Sequence, residues 1–187
     1  MSRVVIVAYS GDWPGDFARL GRRLRAVCGE RALRIDHIGS TAVPGLDAKD
    51  RIDVQVVVAD LADANPLGGA GFVEFASARD HEPPGAETAG DAWQKRFFQN
   101  PPDERSANIH VRLDGRPNAR YALLFRDYLR AHPRAAAAYA DLKRRLADEV
   151  RGIGAYTEIK DAACDLIVVA AEDWAAATGW VPGQSEA

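Results

Sequence analysis

The residues best suited to chemistry lie between His37 and Val58. Gly39-Ser40-Thr41 is a small, hydroxyl-rich turn, and the Val/Ile segment after it sends Asp53 and Gln55 to one side. Strand side chains alternate with period two, so Ile52, Val54, Val56 and Val58 share the opposite face and point into a core. Glycine tolerates positive φ and lets a ligand approach the backbone, while hydroxyls and amides of such a turn donate to phosphate oxygens. The plainer alternative is an ordinary turn whose side chains bond to their own backbone. An acid in an apolar strand has a desolvation cost unless something pairs with it. Two partners are open to Asp53: a hard cation such as Mg²⁺, which Gln55 could also reach, or a salt bridge to Lys49, Arg51 or a more distant arginine.

Further candidates are supporting parts. His110 lies on the polar side of its segment with Asn108 and Arg112, opposite Ile109, Val111 and Leu113, which favours a cleft position. His37 is either a core histidine bonded to a backbone carbonyl or a donor at the cleft rim. Lys49, Arg126 and Lys160 are candidate phosphate ligands against the alternative of a solvated surface. Arg126 leads these three because Leu124-Phe125-Arg126-Asp127-Tyr128 mixes charge with an inward stripe, as a planar phosphate clamp requires. Cys28 and Cys164 sit in helix-like patterns and read as small buried hydrophobes, and no His/Cys spacing suggests zinc.

The elements that must position these groups follow from periodicity. Residues 4–9 form a short edge strand or an extended arm. Asp12-Trp13-Pro14 opens a helix that carries Phe17, Leu20, Leu24 and Cys28 at helical spacing and stops at Gly29. Strands are expected over 32–38, 51–58, near Phe72–Phe75, over 93–99 and over 107–113. The Pro/Gly/Glu/Ala-rich stretch 78–90 is expected to be a mobile surface loop. After Pro117, Tyr121, Leu124, Phe125, Tyr128 and Leu129 mark an amphipathic helix. His132-Pro133 starts another with Tyr139, Leu142, Leu146 and Val150 inward, and a last helix carries Ile159 to Trp174. Strands in the first 115 residues and helices in the last 70 predict an α+β domain with a mixed β-sheet. The expected organisation is a single domain over 1–180, strand-rich to about 115 and helical over about 116–178, with a disordered tail at 181–187.

At 187 residues and 47% hydrophobic, the chain supports one well-buried core. A net charge of −3 provides no global basic field, so nucleic acid is not an expected partner. The apolar run at the N-terminus is too short for a signal segment or a span, and no other window approaches about 18 apolar residues. A cytoplasmic location is therefore the expectation.

His37-Ile38-Gly39-Ser40-Thr41-Ala42-Val43-Pro44-Gly45-Leu46, followed by Lys49 and Ile52-Asp53-Val54-Gln55-Val56, resembles the signature of the GrpB family. Similar segments recur at Asp12-Trp13-Pro14 with Phe17, at Asn108-Ile109-His110-Val111, at Leu124–Arg130, and at Tyr156 with Lys160, so the resemblance spans about residues 4–175. That family is also found as the C-terminal domain of some bacterial dephospho-CoA kinases and is placed in the nucleotidyltransferase-fold superfamily. The resemblance implies a nucleotidyltransferase-like sheet with flanking helices and a C-terminal helical segment. It also implies a Gly-Ser turn and strand acids that hold Mg²⁺ or Mn²⁺ while a small acceptor attacks a nucleoside triphosphate, ATP being the expected one. In those roles Ser40, Asp53 and His110 would be catalytic; Asp53, Gln55 and His110 would face the metal; and His37, Gly39, Ser40, Thr41, Lys49, Arg126 and Lys160 would hold phosphate. Gln55 and His110 stand where the superfamily pattern has acids. The implied function is nucleotidylation or a related ATP-dependent activation of an acceptor; the alternatives are a non-catalytic nucleotide- or CoA-type binding module, or a folding and interaction partner for another protein. The sequence does not match the Gly-rich phosphate loops of the Walker or dinucleotide types.

Overall fold

A computed structural model describes residues 3–76, 78–86, 90–102 and 104–187. The order of elements is α1 (Trp13–Cys28), β1 (Ala32–Ile38), β2 (Ile52–Val58), α2 (Pro66–Gly69), β3 (Val73–Phe75), β4 (Lys95–Gln99), β5 (Ala107–Leu113), α3 (Pro117–Ala131), α4 (Pro133–Glu149) and α5 (Ile153–Thr178). The strands form one five-stranded mixed sheet in the order β1-β2-β5-β4-β3. Only β2 and β5 run parallel, with Asp53 beside Asn108 and Gln55 beside His110; the other pairings are antiparallel. The α+β class expected from the sequence is the observed one. Residues 3–9 form the extended arm rather than a sheet strand, tied to the body where Val7 and Ala48 exchange both backbone bonds.

Period-two alternation sorts the sheet into two chemically different faces. Ile35, Ile52, Val54, Val56, Val58, Ile109, Val111 and Phe98 pack against Trp13, Phe17, Leu20, Leu24 and Cys28 of α1 to form the main core. Trp13 and Leu24 are wholly buried there, each worth on the order of 2 kcal/mol of apolar burial. Pro14 in the first turn and Asp16 near the positive end of the dipole suit the start of α1. The opposite face carries Asp53, Gln55, Asn108, His110 and Arg112 and lies under the helices that follow Pro117. Those helices have their own apolar cluster, in which Phe125, Leu129, Tyr139 and Cys164 pack with Val43 and Leu46.

Two expectations are corrected by the backbone. Residues 181–187 do not trail away; they run back along β1. Ser185 Oγ accepts from Ile35 N at 2.8 Å, and Glu186 N donates to Ile35 O at 3.0 Å. Glu186 Oε2 accepts from His37 N at 2.8 Å and pairs with Arg126 at 3.2 Å, while Oε1 pairs with Arg130 at 3.2 Å. The reason is that β1 is an edge strand, whose open donors and acceptors need a partner. The second correction concerns the stretch 78–90. Positions 87–89 lie outside the described residues, but Arg79 bridges Gln94, and Asp80 N donates to Trp93 O at 2.9 Å, so the front of that stretch is pinned to the sheet.

Arg126 is 3% exposed, donates to His37 O at 3.0 Å and pairs with Asp127 at 2.7 Å as well as with Glu186. Its setting is therefore structural rather than that of a phosphate clamp. Arg126→Met is expected to destabilise the protein by roughly 3 kcal/mol in chemical denaturation, because it takes a buried charge partner from Asp127 and Glu186 and a donor from the His37 carbonyl, while leaving ligand binding in the cavity described below unchanged.

Candidate functional site

Between the polar face of the sheet and α3, α4 and α5 lies a cavity of about 530 Å³. Its floor holds Asp53, Lys95, His110 and Arg112; one side holds the Gly39–Thr41 turn, Lys49 and Lys143; and its far wall is aromatic, with Trp93, Tyr121, Phe125, Tyr139 and Tyr156. The turn and the strand acid converge. Gly39 has φ 69°, and a Cβ placed there would lie 2.7 Å from Asp53 Oδ2, so only glycine allows the turn to close over the carboxylate. Asp53 Oδ1 accepts from Asn108 Nδ2 at 2.8 Å. Burial alone would raise the Asp53 pKa, but His110, Asn108 and Lys49 overcome that and hold it at about 2, so the carboxylate is ionised at neutral pH.

The floor is organised by Asp80. Its two oxygens accept from Arg112 Nε at 2.8 Å, Arg112 Nη2 at 3.0 Å, Lys95 Nζ at 2.8 Å and Asn118 Nδ2 at 3.1 Å. Burial opposes its charge, yet Arg112, Lys95 and His110 hold its carboxyl well below the usual carboxylate range. Lys95 Nζ also donates to His110 Nδ1 at 3.3 Å. An ammonium can only donate, so a neutral His110 ring carries its proton on Nε2, which faces Asp53 Oδ1 at 3.8 Å. Burial lowers the His110 pKa and favours that neutral form.

A family model described as GrpB protein matches residues 3–169. The chain belongs to the GrpB family. A dephospho-CoA kinase from Mycolicibacterium paratuberculosis is 39% identical over 197 residues, which cover 96% of this chain and 48% of that protein. A UPF0157 protein from Halalkalibacterium halodurans is 36% identical over 162 residues, covering 84% of this chain and 76% of that one. The crystal structure of GrpB from Enterococcus faecalis matches with a TM-score of 0.73 at 26% identity, covering 91% of this chain and 99% of that one. This GrpB-family chain thus spans about half the length of the dephospho-CoA kinases it matches.

Of the residues expected at the site, Gly39, Ser40, Thr41, Lys49, Asp53, His110 and Lys160 line the one cavity. His37, Gln55 and Arg126 do not. The His37 ring turns to the α1 side, stacked on Phe17 with centroids 4.8 Å apart and its Nε2 at 3.0 Å from Thr41 Oγ1. Burial lowers its pKa to about 4, so it stays neutral. It is a core histidine, bonded to a side-chain hydroxyl rather than to the backbone carbonyl expected. Gln55 is fully buried: its Oε1 accepts from Arg112 Nη1 at 2.6 Å, and its Nε2 donates to Ala119 O at 3.3 Å. Lys160 is bonded to Asp161 at 2.6 Å.

These contacts do not fit a protein-built Mg²⁺ site. Among the described residues no group of three His, Cys, Asp or Glu side chains is placed to hold a metal. The Gln55 oxygen is taken by Arg112, and a His110 protonated on Nε2 offers no lone pair to the cavity. Asp53 is left as a single carboxylate ligand, where Mg²⁺ usually takes one or two carboxylates with substrate phosphates.

The sequence reading missed Lys95, Asp80 and Lys143. Lys95 and Phe97 alternate on β4 as His110 and Arg112 do on β5, so Lys95 carried a signal. Lys143 sits four residues after Tyr139 and three before Leu146, a lysine within an apolar stripe. Asp80 had no local signal. No helix among the described residues is long and apolar enough to cross a membrane.

Gly39→Ala is expected to cost on the order of 3 kcal/mol, since its backbone lies in a region only glycine tolerates and the methyl meets Asp53. A urea titration showing a loss below about 0.5 kcal/mol would show that the turn is free to open.

Proposed function

We propose that the cavity binds a phosphate-bearing ligand of the nucleotide class, held by cationic side chains and the Gly39–Thr41 turn rather than by a metal-ligating acid set. The observation that carries this reading is the meeting of that turn with Lys49, Lys95, Arg112 and Lys143 around one cavity. Two of these cations, Lys95 and Arg112, share a single carboxylate, Asp80, which leaves positive potential for an anion. The aromatic wall opposite the floor suits the flat face of a base. The nucleotidyltransferase-like resemblance of the His37–Val56 segment and the dephospho-CoA kinase relatives both support a ligand with a nucleotide portion, adenine nucleotides first among them.

A second reading, nucleotidyl transfer to a small acceptor, is supported by the ionised Asp53 facing the cavity beside Ser40. With one carboxylate available, we derive no metal-dependent step. The expectation of a protein partner draws on the kinase-fused members of the family; Leu166 and Val169 of α5 are 75% and 65% exposed, and nothing about those residues says what would cover them.

Calorimetric titration with ATP and with CoA, each with and without Mg²⁺, separates the two readings. Binding is expected in EDTA with micromolar to millimolar affinity, reduced at least tenfold in Lys49→Ala and little changed in Asp53→Asn. Absence of heat with every ligand at millimolar concentration overturns the proposal. A strict Mg²⁺ requirement, together with pyrophosphate release that Asp53→Asn abolishes, decides for transfer.

A further inference from the structure

Lys143 is the most deeply buried cation at the cavity, 2% exposed. It projects from α4 toward the turn, where Nζ donates to Ser40 Oγ at 2.8 Å and to the Asp47 carbonyl at 2.5 Å, with the Tyr139 ring 4.7 Å away. Among the described residues no ion pair joins it to a carboxylate. The Asp47 carboxylate is engaged elsewhere, by Arg144 and by Tyr9 N. On α5, Lys160 is satisfied by Asp161, and Cys164 is bonded to Tyr139 Oη. Lys49 on the loop before β2 adds a second positive charge to the same side of the cavity. A buried ammonium with only neutral oxygens for company and cations nearby is held at a cost, and losing its proton relieves that cost.

We propose that Lys143 is a proton-coupled anion sensor: it gives up its proton in the free protein at mildly alkaline pH and takes one up when a phosphate group docks at the Gly39–Thr41 turn. The inference rests on the cavity being a phosphate site, and it adds that binding there consumes a proton. The chemistry of the contacts allows both states. As an amine, Lys143 keeps one N–H on the Asp47 carbonyl and accepts the Ser40 hydroxyl proton on its lone pair. As an ammonium, it donates to both oxygens and directs its third N–H at the ligand. Burial lowers the Lys143 pKa to about 7. A phosphate adds the negative charge that the pocket lacks and pulls the value up again. The sign follows: because the bound state holds the extra proton, affinity is greatest at and below pH 7 and declines above it.

The test is calorimetry with metal-free ATP at pH 7.5 to 8.5, in buffers of different ionisation enthalpy, on the full chain and on Lys143→Met. The substitution preserves length and removes the titrating nitrogen; a thermal melt of the variant checks that it folds. The ionisation of ATP itself cancels between the two proteins. The wild type is expected to take up roughly half to one proton more per ATP than the variant, and its affinity to fall by up to about tenfold per pH unit above 7 relative to the variant. ATP binding with equal proton numbers and parallel pH profiles in both proteins overturns the inference and leaves the phosphate site standing. No ATP binding by the wild type at any of these pH values overturns the inference, and overturns the phosphate site as well when CoA also gives no heat. If Lys143→Met fails to fold, the ¹³Cε resonance of Lys143 in the wild type decides: a midpoint near 7 that rises with ATP supports the inference, and one near the ordinary lysine value overturns it.

Discussion

Charge buried on the inner face of the sheet has to be matched, and Asp80 is the group that matches it. Arg112 and Lys95 point from β5 and β4 into a space roofed by helices, where an unpaired cation costs several kcal/mol. The carboxylate that pairs with both comes from a connecting segment, not from the sheet, and is itself held by Asn118 of α3. One side chain therefore locks the loop, two strands and a helix into a single arrangement. Lys95 then reaches His110 and fixes which ring nitrogen carries the proton, and Arg112 reaches Gln55. The hydrogen-bond polarity of the floor is inherited from this pairing.

The same constraint explains why the cavity is cationic. Asp80 neutralises about one charge against the two it serves, and among the described residues no carboxylate pairs with Lys143. A sheet face built this way would be costly to close over with apolar groups, and it borders an open cavity instead. Asp53, held ionised by His110, Asn108 and Lys49 at the edge of the same space, cancels part of the excess but not all of it. Its closeness to the Gly39 backbone makes it as much a part of the turn as of the ligand surface.

Much of the fold was legible because it rests on local periodicity. The five strands, the α1 start at Trp13-Pro14, the break at His132-Pro133 and the sorting of Asp53 from Val54 all follow from spacing. The site was only partly legible, for three separable reasons. The side on which His37 falls depends on the antiparallel pairing of β1 with β2, which sets His37 beside Val54 and away from Asp53; a single strand cannot disclose that. Arg126 has the composition of a phosphate clamp, but its partner Glu186 lies sixty residues away in a segment with the composition of a loose tail. Asp80 sits in a Pro- and Gly-rich stretch whose chemistry appears only when the loop meets Arg112.

The chemistry at Gln55 is set by the strand beside it. It shares a strand face with Asp53, the place where the resemblance implies a second metal-holding acid. In this chain the neighbouring strand supplies Arg112 at that level, and a buried guanidinium already paired with Asp80 needs an acceptor more than a second full charge. An amide meets that need at 2.6 Å and uses its own N–H on Ala119 O, leaving both ends satisfied. A carboxylate there would lack the N–H that Gln55 gives to Ala119 O, and would draw Arg112 into a tighter pair instead of facing the cavity. An acid at position 55 alone would thus not create a metal site; Arg112 would also have to go, and with it the pairing that holds Asp80 in place. The cationic floor and the amide at position 55 are consequences of one arrangement, the pairing of Arg112 with Asp80 on one side and Gln55 on the other.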